Sequence, residues 1–352
     1  MRSSPELNFM TAHENQYSEL LDNEMRYQSE GDERHVQLCR MRDSACEVYA
    51  AESNGSKFEL VYPRCKASDT TGPEEMVFRV QGFVTQAYLP PIVEQLKATS
   101  VSEGVRQSIE ITGLGARRFD KAVNAHWILM DTLVPFVGGK DRINTSWNPA
   151  KGHYHSYPTM TIANRYFTSP QEAKTQPTIA FSDQVDPLSV LQNYGNKYHL
   201  KHTEDNEVQY FERSIGRKGP VFRTIAPGFI QPTNMVEVQL GVCAQRLGVG
   251  KYIFLMKMRS VCVLNRVVKE AFTSLPRLPM AVESSVQIKR KVGYTCDSEW
   301  SDSSSSDDES VASDPEFGRN SVSQGMKRLK LRPDGEGDDS EETEVETICH
   351  AE

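Results

Sequence analysis

An alternating run of residues between positions 227 and 264 limits the possible folds of this chain more than any other stretch. Over residues 235–244 every second side chain is apolar, which is the period of a β-strand with one buried face. Two glycines follow within residues 245–250, where they allow positive φ angles, and a second apolar run begins at Lys251. The pattern predicts a β-hairpin with its turn at 245–250.

The second strand of this hairpin carries two basic residues in an otherwise apolar run. Lys257 and Arg259 are two positions apart and therefore project from one face of the strand. We expect them to form a basic spot, with Tyr252 as an aromatic residue on the same strand. In the alternative interpretation the aromatic face is core, and its members are Tyr252, Phe254, Met256 and Met258.

The rest of the chain adds strands and few helices. Apolar runs between turn residues predict further strands at 76–89, 107–112, 160–167 and 178–181. Residues 119–133 have helical spacing, with Val123, Trp127 and Met130 on one stripe. These elements predict a mainly β (α+β) class, as a single β-barrel or β-sandwich domain with one or two short helices.

Composition divides the chain into three parts. Residues 1–56 are polar and predict a largely disordered arm, residues 57–293 a β-rich globular domain, and residues 294–352 a disordered, acidic, serine-rich tail. Net charge is –8 overall, and it is –5 for residues 1–150, +9 for 151–293 and –12 for 294–352. The basic part is compatible with a surface that binds a polyanion, and the acidic tail would compete with the polyanion for that surface. A mixed globular surface gives the same charge count.

The tail contains two sequence signals. Four serines have an acidic residue three positions on, a pattern typical of phosphorylation by acidophilic kinases: Ser304, Ser305, Ser306 and Ser313. A compact basic cluster indicates a nuclear-localisation signal, or else a patch that balances its acidic neighbours: Lys327, Arg328, Lys330 and Arg332. Without a signal peptide or a long apolar run, we expect an intracellular, nuclear protein that does not enter membranes.

Basic residues also alternate with aromatic or glycine residues at two sites outside the hairpin. Lys197 and Tyr198 belong to a turn-rich segment, and Arg217 and Lys218 belong to a glycine-containing connection. Such interleaving is found in nucleic-acid tracks, and it also occurs in ordinary loops.

Two histidines raise a metal alternative. On a strand, His153 and His155 would point the same way, and they faintly resemble the His-x-His of cupin metal sites. The glutamate expected shortly afterwards is missing, because residues 157–160 are Tyr-Pro-Thr-Met. We therefore expect no metal and no cofactor. The sequence contains no recognisable catalytic motif and indicates no small-molecule substrate, which favours a non-catalytic protein but leaves an enzyme of unrecognised class open.

The hairpin also carries two resemblances. Its order of turn, alternating strand, loop and apolar strand resembles the central strands of oligonucleotide-binding barrels. Residues 220–266 are similar to an uncharacterised multi-copy protein family of mushroom-forming, basidiomycete fungi, through Val-Glu-Val-Gln-Leu at 236–240 and Lys-Tyr-Ile-Phe-Leu-Met-Lys-Met-Arg-Ser-Val at 251–261. The second resemblance implies no known activity.

Three functional hypotheses follow from the residues. The first is single-stranded nucleic-acid binding, in which bases stack on aromatic rings while lysine and arginine contact phosphates. The second is a nuclear protein–protein interaction module with the phosphorylatable tail as a second docking segment. The third is an enzyme with a deep pocket near His153 and His155. The first hypothesis requires solvent-exposed aromatics beside Lys257, Arg259, Arg217 or Lys218.

Overall fold

The hairpin lies at the centre of the protein. A computed structural model describes residues 4–28, 36–41, 49–53, 57–61, 74–93, 105–144, 149–174, 176–217 and 219–275. Strands β11 (Met235–Gly248) and β12 (Lys251–Asn265) pair antiparallel along their whole length, which confirms the predicted hairpin. The turn is shorter than expected, because β11 continues to Gly248 and only Val249 and Gly250, with φ at +67°, lie between the strands.

Twelve strands form one mixed sheet around this pair in the described part of the chain. The other strands are β1 (Val36–Gln37), β2 (Tyr49–Ser53), β3 (Lys57–Val61), β4 (Phe78–Tyr88), β5 (Arg106–Thr112), β6 (Ile143–Asn144), β7 (His153–Tyr154), β8 (Tyr157–Arg165), β9 (Gln209–Gly216) and β10 (Gly219–Thr224). The helices are α1 (Pro5–Ala12), α2 (Glu14–Gln28), α3 (Arg117–Val137), α4 (Val190–Lys197) and α5 (Val267–Ser274). The predicted class, mainly β with helices, is confirmed, although the helices are more numerous than expected.

The strand pairings run around a ring that one weak link closes. The sheet follows the order β10-β9-β12-β8-β5-β4-β11-β3-β2, and β11 also pairs with β12. The link between β12 and β8 consists of the single parallel pair Lys257 and Ala163, whereas β5 and β8 pair over seven residues. Beyond this pair, β12 leaves β8 and pairs with β9 from Ser260 to Val263. We call the point where β12 changes neighbours the seam.

Strand β11 is buried on both faces, so the expected half-buried strand is wrong in this detail. Its apolar face contains Val238 and Leu240 with no exposed area, but Glu237 and Cys243 on the other face are also buried. Glu237 accepts a hydrogen bond of 2.7 Å from Gln81 Nε2, which satisfies a carboxylate that the interior would otherwise exclude. A strand in the middle of a sheet can therefore have polar side chains on one buried face, provided that neighbouring residues form hydrogen bonds with them.

Helix α3 is confirmed but its buried stripe is different from the predicted one. Trp127 is 44% exposed, and the side chains that face the core include Phe119, His126 and Leu129. These positions are three or seven apart and so lie on one helical face. Trp127 follows His126 in the sequence and therefore points away from this buried face, with its ring centroid 4.3 Å from that of His126.

The predicted disorder of residues 1–56 is wrong for the helices at its start. Ser4 caps α1 by accepting a hydrogen bond from the Leu7 amide at 3.2 Å. Met10, Tyr17, Leu21 and Met25 are all at most 1% exposed and belong to the main core. Because these apolar residues share one side of otherwise polar helices, the helices gain their stability by docking on the sheet rather than alone.

The remaining predictions concern a strand at 178–181, the tail at 294–352 and the lack of a membrane span. Residues 178–181 are irregular instead of a strand, since Ile179 donates to the carbonyl of His202 and Phe181 stacks on the His202 ring at 3.9 Å. The tail at 294–352 lies outside the described residues. Within the residues that the structure covers, none of the helices has the length and apolar character needed to cross a bilayer.

The docking of α2 yields a stability prediction. Leu21→Ala removes a side chain that is fully buried against the sheet, so we expect the free energy of unfolding to fall by about 2–5 kcal/mol in urea titrations of the full chain. Glu19→Ala, at an exposed position of the same helix, is the matched control and should stay within about 0.5 kcal/mol of the parent. Equal stability of the two variants would show that α2 does not pack as described.

Candidate functional site

The two basic residues of the hairpin do not form the expected exposed spot. Lys257 and Arg259 do share one face of β12, as the alternation predicts, but their side chains are only 7% and 17% exposed. Three carboxylates face them: Glu59, Glu75 and Asp205. With Lys57, which belongs to the same group, they make a set of three cations and three anions that we call the charge cluster.

Asp205 is the centre of the charge cluster. Its carboxylate contacts the ammonium groups of Lys257 and of Lys57, the latter at 3.0 Å, and Arg259 Nη2 at 2.9 Å. Its carbonyl oxygen accepts a further hydrogen bond of 2.7 Å from Arg259 Nη1. Every cation in the cluster therefore touches Asp205.

Glu59 and Glu75 complete the compensation of charge. Glu59 Oε1 is 2.8 Å from Lys57 Nζ and 3.7 Å from Lys257 Nζ. Glu75 Oε1 is 2.7 Å from Arg259 Nη2. Each buried cation thus has at least two carboxylate neighbours, and Arg259 lies 4.0 Å from a third, Glu59.

Burial and neighbouring charges shift the ionisation of these groups in opposite directions. Burial alone would raise the pKa of Asp205, but the nearby cations Lys257, Lys57 and Arg259 outweigh it and hold the pKa well below its usual value. Burial, with Arg259 and Lys57 nearby, lowers the pKa of Lys257. Burial would lower the pKa of Lys57, but the carboxylates of Asp205 and Glu59 outweigh it and raise the pKa.

The local backbone explains how Asp205 reaches this position. It lies in a short 3-10 helix, Glu204–Asn206, just before β9. Asn206 Oδ1 fixes the turn by accepting hydrogen bonds from the backbone amide of Thr203 at 3.0 Å and from the Thr168 hydroxyl at 3.0 Å. The turn packs at the seam, where Asn164 Nδ2 donates to the carbonyl oxygens of Asp205 and Met258 at 3.0 and 3.2 Å.

A cavity of about 480 Å³ opens beside the charge cluster. Its walls include Lys57, Glu59, Glu75, Asp205 and Arg259, together with the exposed carboxylates of Glu204 and Glu207. Because the three cations of the cluster are already paired internally, the outer rim of this cavity is acidic. The exposed basic site predicted on β12 is therefore wrong: the cavity at this position has walls of both charges and an acidic rim.

The uncompensated basic residues lie on another hairpin, formed by β9 and β10. Arg217 and Arg223 are exposed, and no carboxylate of the described residues pairs with them, whereas Arg213 pairs with Glu24 and Arg266 with Glu212. Three apolar side chains on the same hairpin face solvent: Ile215 at 90%, Phe222 at 57% and Val221 at 45% exposure. Lys218, predicted beside Arg217, lies outside the described residues.

Strand β10 is exposed on both faces, and it is also the last strand of the sheet. Five of its six residues, Pro220–Thr224 in the printed sequence, are exposed, and among the described strands β10 pairs with β9 alone. Ile225 donates to the Tyr210 carbonyl, so alternate residues of β10 bond toward β9. The backbone groups of Phe222 and Thr224 consequently point to the unpaired edge.

The remaining predicted residues are placed separately. Tyr252 is half-buried, with its ring 6.0 Å from the ring of Phe58, so it belongs to the core rather than to a stacking surface. Lys197 ends α4 and its Nζ lies 5.2 Å from the Tyr198 ring, which is half-buried against Tyr194. The structure therefore does not gather the predicted basic and aromatic residues into one site.

The two histidines of the metal alternative do not share a strand face. His153 is on β7, but His155 lies in the turn between β7 and β8 with φ at +51°. Its ring contacts Tyr154 edge-on at 4.6 Å, and both histidines are exposed. Among the described residues, no three histidine, cysteine, aspartate or glutamate side chains are placed so that they could hold one metal ion.

The signals in the tail lie outside the described residues. They are the phosphorylation sites Ser304, Ser305, Ser306 and Ser313 and the basic cluster Lys327, Arg328, Lys330 and Arg332. Comparison with known proteins adds no assignment: no protein-family model matches the sequence, and no curated protein matches it significantly.

The charge cluster yields a prediction of stability and its pH dependence. Asp205→Asn leaves three cations facing two carboxylates, and we expect a loss of about 3–5 kcal/mol in the free energy of unfolding at pH 7. Because the folded-state pKa of Asp205 is depressed, its stabilisation is complete above the unfolded-state pKa and is lost as the pH falls through the folded-state pKa. The difference in the free energy of unfolding between the parent and Asp205→Asn should therefore be smaller at pH 3 than at pH 5 by roughly 1 kcal/mol.

Urea titrations of the full chain at both pH values measure this effect. Glu204→Gln removes an exposed carboxylate from the same short helix and serves as the matched control. We expect its stability to stay within about 0.5 kcal/mol of the parent. A variant Asp205→Asn as stable as this control would show that the cluster does not depend on Asp205.

Proposed function

We propose that this chain is a non-catalytic protein that binds single-stranded nucleic acid through the hairpin formed by β9 and β10. The observation that carries the proposal is the pair of exposed guanidinium groups, Arg217 and Arg223, which lack carboxylate partners in the described part of the chain and lie on the same hairpin as the exposed ring of Phe222. This is a basic, aromatic-bearing hairpin, although it is not the hairpin that the sequence indicated.

The chemistry of such a hairpin suits a flexible polyanion. Arginine forms two parallel hydrogen bonds to a phosphate, and each neutralised phosphate releases counterions, which makes the affinity depend on salt. An exposed phenylalanine offers a face on which a base can stack, a contact of about 1–3 kcal/mol. Bases in a duplex are already stacked on each other, so the ring of Phe222 favours a single strand.

Nuclear localisation belongs to the same proposal. It is supported only by the sequence cluster at 327–332, which lies outside the described residues. The acidic segment 294–352, of net charge –12, would compete with nucleic acid for the hairpin, and phosphorylation of its serines would strengthen that competition.

A second candidate, docking of a partner protein, is favoured by the unpaired edge of β10. The backbone groups at Phe222 and Thr224 could pair with an extended peptide, and the exposed side chains of Ile215 and Val221 would give it apolar contacts. This mode depends on backbone and apolar surface, so salt should affect it much less than binding to a polyanion.

Fluorescence polarisation of labelled single-stranded DNA, RNA and duplex DNA with the full chain tests the proposal. We expect single strands to bind more tightly than the duplex. The double variant Arg217→Ala and Arg223→Ala should weaken binding about tenfold and reduce the slope of log affinity against log salt by about 2. Phe222→Ala should reduce affinity for single strands by about 1–3 kcal/mol and leave the duplex unaffected.

A matched control removes the same charge elsewhere. Arg117 and Lys121 are exposed on α3, and their double replacement by alanine should leave binding within about twofold of the parent. Equal losses in the two double variants would mean that net charge alone governs binding. Absence of binding to all three probes at low salt would refute the nucleic-acid proposal and leave the partner-protein candidate.

A further inference from the structure

A second cavity, of about 370 Å³, lies on the other side of the seam. It opens where β8 and the first half of β12 diverge before their single pairing at Ala163 and Lys257. One wall is the outer face of β8, whose residues Thr161, Ala163 and Arg165 are partly exposed while their neighbours in sequence are buried. Its volume lies within the range of small-molecule sites in proteins, about 300–1,000 Å³.

The basic side of this cavity contains an unusual cross-strand pair. Arg106 of β5 and Arg165 of β8 are directly opposite in the antiparallel register, and both line the cavity. Like charges at opposite positions repel each other. Glu172 is 2.7 Å from Arg165 Nη1 and is the single carboxylate in the described lining, while Arg246 contributes a third guanidinium. Lys257, which also lines the cavity, is compensated by Asp205.

The other side of the cavity is apolar. Leu247, Ile253, Leu255 and Met256 line it from the two strands of the central hairpin. Ile253 and Leu255 are only half-buried, although they alternate with the buried Phe254 and Met256 on β12. The cavity is therefore lined by two guanidinium groups from β5 and β8, a third from β11, and aliphatic side chains of the central hairpin.

From this arrangement we infer that the cavity binds a small phosphate monoester whose organic part is apolar. The dianionic phosphate would contact Arg106, Arg165 and Arg246, because a guanidinium matches phosphate geometry with two hydrogen bonds. The organic part would cover Ile253 and Leu255. The inference is independent of the proposed nucleic-acid function, since Arg217, Phe222 and Arg223 do not line this cavity.

Isothermal titration calorimetry of the full chain with three small probes tests the inference. Phenyl phosphate has both the dianionic head and an apolar ring, methyl phosphate has the head alone, and benzyl alcohol has the ring alone. We expect phenyl phosphate to bind at least about tenfold more tightly than either of the others, because only it uses both sides of the cavity. Absence of phenyl phosphate binding at millimolar concentration, or equal binding of benzyl alcohol, would overturn the inference.

Variants locate the binding to this cavity. Ala163→Phe fills the space without changing any charge and should abolish phenyl phosphate binding. Arg246→Gln, at an exposed position without an ion pair to lose in the described structure, should weaken it about tenfold. Arg165→Gln should weaken it similarly, with the melting temperature measured to separate lost affinity from lost folding. Unchanged affinity in both Ala163→Phe and Arg246→Gln would overturn the inference.

Two further variants act as controls. Arg117→Gln removes an exposed guanidinium from α3 and should not change the affinity for phenyl phosphate. The double variant Arg217→Ala and Arg223→Ala should weaken the binding of single-stranded nucleic acid and leave the affinity for phenyl phosphate unchanged. Loss of phenyl phosphate affinity in that double variant would assign the small anion to the hairpin and overturn the cavity site. The two proposals can therefore fail separately.

Discussion

The carboxylate of Asp205 holds together the point where the sheet changes partners. At the seam, β12 exchanges β8 for β9 after a single residue pair, so the usual ladder of backbone hydrogen bonds is interrupted. Asp205 enters this gap from the turn before β9 and contacts cations from β3 and β12. One side chain thereby joins β3, β12 and the turn before β9, which are far apart in the sequence.

The interruption of the ladder also explains why polar groups fill the seam. Where a strand loses its neighbour, its backbone carbonyls need other donors, because an unpaired buried carbonyl is costly. Asn164 Nδ2 serves the carbonyls of Asp205 and Met258, and Arg259 serves the Asp205 carbonyl from the other side. Apolar residues of the same volume could pack here, but they could not supply these donors. The ionic groups are thus a consequence of the topology, and the two cavities beside them are the spaces that the diverging strands leave open.

Sequence periodicity predicted the elements whose buried faces repeat over a few residues. The hairpin of β11 and β12 and the helix α3 follow from periods of two and of about 3.6 residues, and both were confirmed. The residues of α2 were predicted to belong to a largely disordered arm because their mean composition is polar, although Tyr17, Leu21 and Met25 recur at intervals of four and mark one buried face. The charge cluster could not be predicted, since Lys57 and Glu59 lie almost 150 positions before Asp205, and no period connects them. The exposed position of Arg223 on the last strand, β10, likewise depends on the strand order of the whole sheet.

Net charge along a sequence is therefore an incomplete guide to where a polyanion binds. The basic part of the chain, residues 151–293, has a net charge of +9, but Lys257, Arg259 and Arg213 within it are paired with carboxylates of the same chain. A partner meets only the cations that the fold leaves without a carboxylate. In the described structure Arg217 and Arg223, on the hairpin at the edge of the sheet, are two such cations. They lie where strand pairing ends, so no further strand brings a carboxylate beside them.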